Sequence, residues 1–505
     1  MFATIDNFLN TITMYRLVRY CLAFLWLAGL FLSFFHILPF GAVDLIISFI
    51  IIFIACITAN RIFEIIFKAP SNTDSTYITA LILSLITGPE TTLKGFFMLA
   101  LVSALAISSK YIFAINKKHI FNPAAFGIAL APFIIGYYPS WWVGDKHMAV
   151  FVLAAGLLIT RKIQRTDLVV SFLMVFLITS LGTIHSLQDI FSSVKNMFAY
   201  SPILFFMFVM LTEPTTTPPA RNLRIMYGAL VAFLIAPFVH IGNIYFSPEL
   251  ALIAGNIFSY LVSPKEKLIL TLKEKIKIAA NTYDFVFLPD RKLTFKPGQY
   301  MEWTLKHPRQ DVRGMRRYFT IASSPTENEL SIGVKFYEKP SSYKKALEAM
   351  HPGSPIVSSQ LLGEFTMPKD KNKKLVFLAG GIGITPFRSM IKYLLDTNEK
   401  RDITLFYSVK NYRDIAYKEI FDQAKTSLGI NTIYVINTPD DVPAGFQYEP
   451  GMVDKKMLAE KIPDFQERIF YISGPRAMIV SFETILKELG IPKHRIKTDF
   501  FPGYA

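Results

Sequence analysis

Arg317-Tyr318-Phe319-Thr320-Ile321-Ala322-Ser323-Ser324-Pro325-Thr326 is the stretch that decides the fold of the C-terminal half. A cation two residues before an aromatic ring, followed by a hydroxyl side chain, suits a flavin that lies across a strand of a β-barrel. Arg317 would neutralise the pyrophosphate, Phe319 would pack near the isoalloxazine, and Thr320 would donate toward the flavin N5, where hydride arrives. A surface strand with one arginine gives the same string, so the flanking residues decide between the two.

Short apolar runs with turn residues between them flank this stretch on both sides. After residues 263–273 have led into a strand, the runs that we interpret as strands are 275–279, 283–288, 300–305, 318–322 and 330–337. Strands at this spacing are typical of a small antiparallel barrel. The turn Phe295-Lys296-Pro297-Gly298-Gln299-Tyr300 begins one of them.

After the barrel the pattern changes to alternating strands and helices. The run 374–379 predicts a buried strand, Gly380-Gly381-Ile382-Gly383-Ile384-Thr385-Pro386 follows it directly, and 387–395 predicts a helix. Glycines between a strand and a helix let backbone N–H groups approach a pyrophosphate, whose negative charge the helix N-terminus favours. Further strands at 403–407, 433–436 and 469–472 complete the pattern of an α/β doubly wound parallel sheet.

The first half of the chain is far more apolar. The chain has 505 residues, of which 52% are hydrophobic, and nearly all the long apolar runs lie within 17–262. Since a membrane-spanning helix needs about 20 apolar residues, this half predicts a polytopic α-helical membrane domain. The ten candidate spans lie near 17–38, 43–66, 77–88, 94–115, 119–137, 147–160, 167–184, 200–212, 223–240 and 248–262.

Basic residues are distributed unevenly over the loops between these spans. With the N-terminus placed inside, the inner set is Arg16, Arg19, Arg61, Lys68, Lys117, Lys118, Arg161, Lys162, Arg165, Arg221, Arg224, Lys265 and Lys267. The outer set is only Lys94, Lys146 and Lys195, and Lys110 falls within a span. This asymmetry predicts a multi-pass protein of the cytoplasmic membrane, in contact with lipid, with both termini and the C-terminal half in the cytoplasm. Basic loops also account for the net charge of +15 without nucleic-acid binding.

Cysteine and histidine usage argues against several redox centres. Cys21 and Cys56 are the only cysteines, whereas a Cys-ligated iron–sulfur cluster needs about four thiolates. A haem domain would need histidine pairs two to four turns apart on two helices, and the histidines of the apolar half do not show that spacing. They are His36, His119, His147, His185 and His240, which we interpret as loop or interface residues. We therefore expect no iron–sulfur cluster, no haem and no metal site.

A short motif occurs twice in the apolar half. Thr87-Gly88-Pro89-Glu90-Thr91-Thr92 and Thr212-Glu213-Pro214-Thr215-Thr216-Thr217 share the pattern T-x-P-x-T-T, 125 positions apart. Each copy ends a short apolar segment and precedes a longer one, and the topology places the first copy outside and the second inside. An inverted repeat with broken helices builds a site near the bilayer midplane, although two loops rich in proline and threonine can also match by chance.

Three segments carry a resemblance between this half and known membrane proteins. They are Tyr77-Ile78-Thr79-Ala80-Leu81-Ile82-Leu83, Ile120-Phe121-Asn122-Pro123-Ala124-Ala125, and Thr212-Glu213-Pro214 with the threonines and prolines after it. On them, residues 68–262 resemble the NqrB/RnfD family, whose members are membrane components of the sodium-translocating NADH:quinone oxidoreductase and of the Rnf complex.

That resemblance implies a second redox site in the membrane. Family members hold flavins there, one of them attached to threonine in a Ser-Gly-Ala-Thr-like motif that this sequence lacks. A non-covalent flavin (FMN or riboflavin) or a quinone is therefore the implied occupant. The candidate residues for this site are Thr91, Asn122, Pro123, Thr212, Glu213, Pro214 and Thr216.

The second half carries a longer series of motifs in order. Beside the flavin stretch and the Gly380–Pro386 loop these are Phe295 to Tyr300, Pro340-Ser341-Ser342-Tyr343, Tyr407-Ser408, Asp414-Ile415-Ala416-Tyr417, Ser473-Gly474-Pro475 and Asp499-Phe500-Phe501-Pro502-Gly503-Tyr504. With them, residues 268–505 resemble the ferredoxin–NADP reductase family, which binds FAD and a nicotinamide nucleotide.

This second resemblance implies a role for each matching residue. Thr320, Ser473 and Asp499 would be the catalytic residues, next to the flavin N5 and the nicotinamide C4. The residues implied in cofactor binding are Arg317, Tyr318, Phe319, Thr320, Lys335, Ser341, Ser342, Gly380, Gly381, Gly383, Thr385, Pro386, Ser408, Gly474, Pro475 and Phe501.

Two departures from the family pattern change the chemistry little. Ser473 stands where the family usually has cysteine, but hydride transfer depends on proximity more than on a nucleophile. Phe319 replaces a tyrosine, which removes one hydroxyl contact to FAD, so we expect FAD to be held less tightly. Lys410 and Arg413 follow the second strand of the sheet, where cations either meet a 2′-phosphate or form a solvated loop, so NADH and NADPH both stay open.

The whole sequence predicts a membrane domain over 1–262, an FAD-binding barrel over 263–366 and an NAD(P)-binding domain over 367–505. Electrons from NAD(P)H would pass through FAD to an acceptor in or across the membrane, which is a bound flavin, a quinone or an extracytoplasmic carrier. The alternatives are a transmembrane metalloreductase and a redox-driven sodium or proton pump. A pump needs acids within the membrane, and the acids of this half lie at segment ends or in loops, namely Glu90, Asp145, Asp189, Glu213 and Glu249.

Overall fold

The described part of the chain divides into two compact units, with the boundary near residue 265. The computed structural model describes residue 9 and residues 12–67, 73–115, 118–182, 187–263, 267–308, 315–338 and 340–499. The first unit is helical, and the second combines a barrel of strands with an α/β sheet.

The first unit contains eleven α-helices among its described residues. They are α1 (Met14–Phe34), α2 (Ala42–Ile66), α3 (Thr73–Ile86), α4 (Leu93–Ile112), α5 (Pro123–Ile135), α6 (Ala149–Ile163), α7 (Thr166–Leu181), α8 (Leu187–Ala199), α9 (Ile203–Phe205), α10 (Arg221–Leu234) and α11 (Pro248–Val262). Helix α9 continues directly as a π-helical turn over Phe206–Met210. Two short hairpins, Ala114–Ile115 with Lys118–His119 and His240–Ile241 with Ile244–Tyr245, follow α4 and α10.

Three helices of this unit, α1, α2 and α4, are long and apolar enough to cross a membrane. A fourth span results if residues 189–199 and 203–210, which meet at 63°, are taken together. Large apolar side chains point away from the protein on these helices, such as Phe34 at 69% and Ile65 at 76% exposure. Each of the ten predicted spans overlaps a helix, but most of these helices are shorter than a full span, so the number of spans stays a prediction.

The barrel of the second unit has six antiparallel strands. They are β1 (Lys267–Ala279), β2 (Thr282–Pro289), β3 (Tyr300–Thr304), β4 (Arg316–Thr320), β5 (Leu330–Lys335) and β6 (Pro355–Leu362), in the order β4-β3-β6-β1-β2-β5. The two ends of this order meet after β4, because the Ala322 N–H donates to the Ser331 carbonyl at 2.8 Å. A short helix, α12 (Ser342–Glu348), lies between β5 and β6.

Two strand predictions for the barrel were wrong in detail. Strand β1 is one long strand, where the sequence was divided into a leading segment at 263–273 and a strand at 275–279. Strand β6 was not predicted at all. Its Ser358, Ser359 and Gln360 conceal the apolar pattern, although Ser358 is fully buried and donates to the sulfur of Met301 at 3.3 Å.

The sheet of the second unit is parallel throughout, as predicted. Its strands are β7 (Leu375–Gly380), β8 (Ile403–Val409), β9 (Asn431–Ile436), β10 (Glu449–Pro450), β11 (Ile469–Ser473) and β12 (Ile496–Thr498), in the order β10-β9-β8-β7-β11-β12. The chain adds strands on one side of β7 and then returns to add β11 on the other. This reversal makes the gap between β7 and β11 the topological switch point, where α/β sheets bind their ligands.

Helices cover both faces of this sheet, as a doubly wound fold requires. They are α13 (Thr385–Thr397), α14 (Lys418–Leu428), α15 (Lys455–Lys461) and α16 (Arg476–Glu488). Apolar residues of α13 and α14 pack with Phe377 of β7 in one core cluster. Those of α15 and α16 pack with Leu378 in another, since successive side chains of a strand point to opposite faces.

Candidate functional site

The carboxyl edge of the parallel sheet brings together the ends of β7, β8 and β11. In the strand register Gly380 lies opposite Ser408, and Ala379 lies opposite Ser473. The predicted glycine loop therefore begins beside Ser473 at the switch point.

The glycine loop forms a single 3₁₀ turn, Gly381–Ile384, which runs directly into α13. A side chain at Gly383 would collide with the chain after β11, because its Cβ would lie 2.5 Å from the Ser473 carbonyl oxygen and 2.6 Å from Gly474 Cα. Gly381 has a φ of +51° and open space where a Cβ would stand. The backbone is thus bare on the side where a nucleotide phosphate would meet the start of α13.

The three predicted catalytic residues lie together. Asp499 Oδ2 accepts from the hydroxyl of Ser473 at 3.2 Å and from that of Thr320 at 3.5 Å, and all three residues are buried. Burial raises the pKa of Asp499 to about 7, against the lowering effect of the two hydroxyls. Its other oxygen, Oδ1, is buried and has no hydrogen-bond partner among the described residues. A buried acceptor of this kind needs a partner, which a bound ligand can supply.

The residues predicted to hold FAD lie at one end of the barrel. The guanidinium of Arg317 lies over the ring of Tyr343 at 5.0 Å, and the Phe319 ring lies 6.0 Å from the same ring. Ser341 caps the backbone N–H of Lys344 at 3.3 Å, and the Ser342 hydroxyl is 3.0 Å from Nε2 of the buried His307. A cation, hydroxyl groups and aromatic faces fit a flavin with its phosphates, and sequence reasoning missed His307.

Four other predicted residues have different surroundings. Tyr318 is buried against Tyr300, with ring centroids 5.4 Å apart, and Lys335 pairs with Asp414 at 2.7 Å. Pro475 immediately precedes α16. Phe501 lies outside the described residues, so its predicted role stays a prediction.

The membrane-site candidates divide into three places. Thr91 is exposed before α4, whereas Asn122 is buried, caps α5 and donates its backbone N–H to the amide oxygen of Asn256 at 2.8 Å. The third place is the second T-x-P-x-T-T copy, where Glu213 accepts from the hydroxyls of Thr215 at 2.9 Å and Thr216 at 3.3 Å. Pro214 lies between Glu213 and Thr215, and Pro123 is the first residue of α5.

Three histidines of the first unit have ring nitrogens close to nearby side chains or carbonyls. His119 Nε2 lies 3.2 Å from the Thr215 hydroxyl and 3.6 Å from Glu213, and His147 Nδ1 lies 2.8 Å from Asp145. His240 Nδ1 lies 2.9 Å from the Gly242 carbonyl. No group of three or more potential metal-ligating side chains occurs in the described ranges.

A family model and several known proteins match part of this chain. Residues 377–484 match the family model described as the oxidoreductase NAD-binding domain. A flavohemoprotein of Rhodopirellula baltica is 28% identical over 218 residues, which are 41% of this chain and 53% of that protein. The glycine betaine monooxygenase reductase subunit of Chromohalobacter salexigens is 28% identical over 225 residues, 43% of this chain and 60% of the relative.

The C-terminal half is an FAD- and NAD-binding domain of the ferredoxin-reductase type. This reductase domain is where the predicted barrel and parallel sheet lie, and the chain spans between half and two thirds of the length of these two relatives.

Two solved reductase structures are similar to part of this chain. The cytochrome P450 reductase GcoB of Amycolatopsis has a TM-score of 0.42 and 21% identity, and covers 47% of this chain and 70% of its own. The cytochrome b5 reductase domain of Ulva prolifera nitrate reductase has a TM-score of 0.41 and 22% identity, and covers 47% of this chain and 98% of its own.

Proposed function

We propose that the chain is a membrane-bound NAD(P)H-oxidising flavoprotein reductase, which passes electrons to an acceptor in or across the membrane. The observation that carries the redox part is the meeting of Thr320, Ser473 and Asp499 beside the bare glycine loop. These groups come from the barrel, from the end of β11 and from the segment after β12. They converge where a flavin and a nicotinamide ring would meet.

The side chains divide the chemistry between them. FAD, when bound, accepts hydride from the nicotinamide and releases electrons singly. Arg317 and Ser342 would hold its phosphates, and the Thr320 hydroxyl would donate toward N5. The backbone of Gly380 to Thr385 would bind the nucleotide phosphates.

Asp499 acts on the nicotinamide that loses the hydride. The ring gains a positive charge as the hydride leaves, and an ionised carboxylate nearby stabilises that charge. The hydroxyl of Ser473 holds the carboxylate in place while that of Thr320 donates toward N5, and burial keeps water away from the carboxylate.

The proposed domains are 1–262 in the membrane, 263–366 for FAD and 367–505 for the nucleotide. Three helices of the first unit have the length and apolarity of membrane spans. The excess of basic residues in alternate loops supports a cytoplasmic reductase domain, where NAD(P)H is available.

The order of elements in the first unit supports the proposed inverted repeat. After each T-x-P-x-T-T copy come a helix, a two-stranded hairpin and a helix whose first residue is proline. The hairpins Ala114–His119 and His240–Tyr245 are 126 positions apart, and the prolines Pro123 and Pro248 are 125 apart. This spacing matches that of the motif copies, which favours a duplication over chance.

The proposed acceptor is a bound flavin or a quinone near the two motif copies. The test is the visible spectrum of the purified protein in detergent, with flavin counted after acid release, followed by reduction with NADH and with NADPH. Two flavins per chain support a carrier in the membrane half, and one FAD supports a quinone or an external acceptor. A haem spectrum, or no reduction by either nucleotide, overturns the proposal.

A further inference from the structure

We propose that Asp284, Tyr417, Arg388 and Glu327 form a positioning network, which fixes the nicotinamide-binding loop against the flavin-binding strand. This inference rests on the proposed function, because it concerns the distance over which that reaction transfers hydride. Sequence reasoning missed the network, since its members come from four separate segments of the reductase domain.

The network starts just after the flavin-binding strand. Arg388 Nη1 donates to the Ala322 carbonyl at 3.1 Å, two residues after Thr320. The Ser389 hydroxyl donates to the next carbonyl, that of Ser323, at 2.6 Å. Arg388 and Ser389 lie in the first turn and a half of α13, so both bonds connect the flavin strand with the helix that the glycine loop begins.

Glu327 holds Arg388 in this position. Its carboxylate accepts from Arg388 Nη2 at 3.0 Å and pairs with Nη1 as well, and it also accepts from the Ser324 N–H. A guanidinium held by two parallel bonds to one carboxylate has a fixed plane. Arg388 is only 8% exposed, so water competes little for these bonds.

Tyr417 supplies the second connection between the barrel and the sheet. Its hydroxyl donates to Asp284 Oδ1 of β2 at 3.0 Å, and its ring lies 5.6 Å from the Arg388 guanidinium. Asp284 is buried, and burial raises its pKa. A hydrogen bond and a cation–π contact thus converge on one tyrosine.

The backbone of Tyr417 is unusual for a tyrosine. Its φ of +57° and ψ of 28° lie in the left-handed region, which residues with a Cβ adopt at a cost and mostly where the surroundings impose it. The far end of its side chain is tightly enclosed, because a Cβ at Gly333 of β5 would lie 2.7 Å from both the Tyr417 hydroxyl and Thr385 Cγ2. The barrel, Tyr417 and the first residue of α13 therefore meet at one point without spare volume.

Position at this point matters because hydride transfer is short-ranged. Displacing reacting groups by about 1 Å can cost about 100-fold in rate. Thr320 ends strand β4 of the barrel and Thr385 begins helix α13, so their separation is set by the contacts between the barrel and that helix. The network makes buried hydrogen bonds close to both threonines. Ala322 follows Thr320 by two positions in the sequence, and Arg388 follows Thr385 by three.

Tyr417→Phe in the full-length protein tests this directly. It removes the hydroxyl that bonds Asp284 and keeps the ring that packs on Arg388. We expect amide hydrogen exchange over 381–385 to accelerate several-fold without any nucleotide bound. We also expect the rate of flavin reduction by NADH to fall about tenfold, with a larger isotope effect from deuterated NADH and unchanged FAD content.

Three further variants separate positioning from general stability. Asp284→Asn keeps an oxygen that accepts from Tyr417 and should leave exchange over 381–385 slow, whereas Asp284→Leu should accelerate it as Tyr417→Phe does. Asp396→Ala is the matched control, because Asp396 of α13 accepts from Thr326 at 2.5 Å and so connects the same elements far from the glycine loop. Wild-type exchange in Tyr417→Phe, or equal effects in Asp396→Ala, overturns the inference. If the wild-type protein oxidises neither nucleotide, the proposed function fails while the exchange experiment still decides the network.

Discussion

At the scale of single residues, we expect Asp499 to make the activity of the reductase domain sensitive to pH. Burial raises the pKa of its carboxyl to about 7, and only the ionised form stabilises the positive charge that hydride loss leaves on nicotinamide. We expect the rate of flavin reduction to rise with pH through about 7. Asp499→Asn should give a flat profile at the low-pH level, as measured by stopped-flow absorbance.

A second aspartate provides the control for this pH profile. Hydrogen bonding from Arg468 and Lys374 lowers the pKa of Asp464 to about 2, and Asp464 lies at the opposite edge of the sheet. Asp464→Asn should therefore leave the inflection near neutral pH in place. An inflection that persists in Asp499→Asn would contradict the role of that carboxylate.

Single residues of the site were largely predictable because their motifs resemble those of the ferredoxin–NADP reductase family. Thr320, Ser473 and Asp499 were each placed by a short local motif, and the structure brings them within hydrogen-bonding distance. The partners of Arg388 were not predictable. Its bonds reach residues 61 and 66 positions away, and no local pattern encodes which buried charges meet.

At the scale of elements, the glycine loop should tolerate no side chain at Gly383. A Cβ there would lie 2.5 Å from the Ser473 carbonyl oxygen, and such overpacking typically costs about 1–3 kcal/mol. We expect Gly383→Ala to lower the free energy of unfolding by about this amount and to weaken NAD⁺ binding in a calorimetric titration. Gly429→Ala is the control, since Gly429 caps the end of α14 and has open space where a Cβ would stand. Its φ of +72° makes an alanine costly to stability there as well, but the change should leave NAD⁺ affinity unchanged.

The caps of α5 and α11 allow a comparison between the two halves of the proposed repeat. Asn122 Oδ1 accepts from the Ala125 N–H at 3.0 Å, whereas the matching bond from Leu250 to Ser247 is 3.5 Å long. Loss of a good N-cap costs about 1 kcal/mol. Asn122→Ala should therefore lower the melting temperature in detergent by roughly 2–4 °C, and Ser247→Ala by less. Equal shifts would contradict this difference in cap strength.

Element types were predictable wherever the pattern of apolar residues was clear. The parallel strands β7, β8, β9 and β11 begin and end close to the predicted runs, because both faces of such strands are apolar. Helix α8 was missed since Leu187–Ala199 mixes polar and apolar residues. Strands β10 and β12 have only two and three residues, too few to show a period.

At the scale of the whole molecule, the basic loops predict which side of the membrane meets NADH. NADH does not cross a lipid bilayer unaided. We expect inverted vesicles, with the cytoplasmic face outward, to oxidise added NADH or NADPH at once. Right-side-out vesicles should do so only after a detergent has permeabilised them, and equal rates in intact vesicles of both kinds would contradict the proposed orientation.

The strand order of the sheet has a consequence for how the chain is synthesised. Strand β7 pairs with β8 early, but its other edge has no partner until β11 leaves the ribosome, 89 residues after β7 ends. An exposed strand edge readily pairs with foreign strands. All six barrel strands lie before residue 363, so the barrel can close first. Until β11 is synthesised, the apolar strand β7 is paired along only one of its two edges. We expect chaperone binding and aggregation to concentrate at β7.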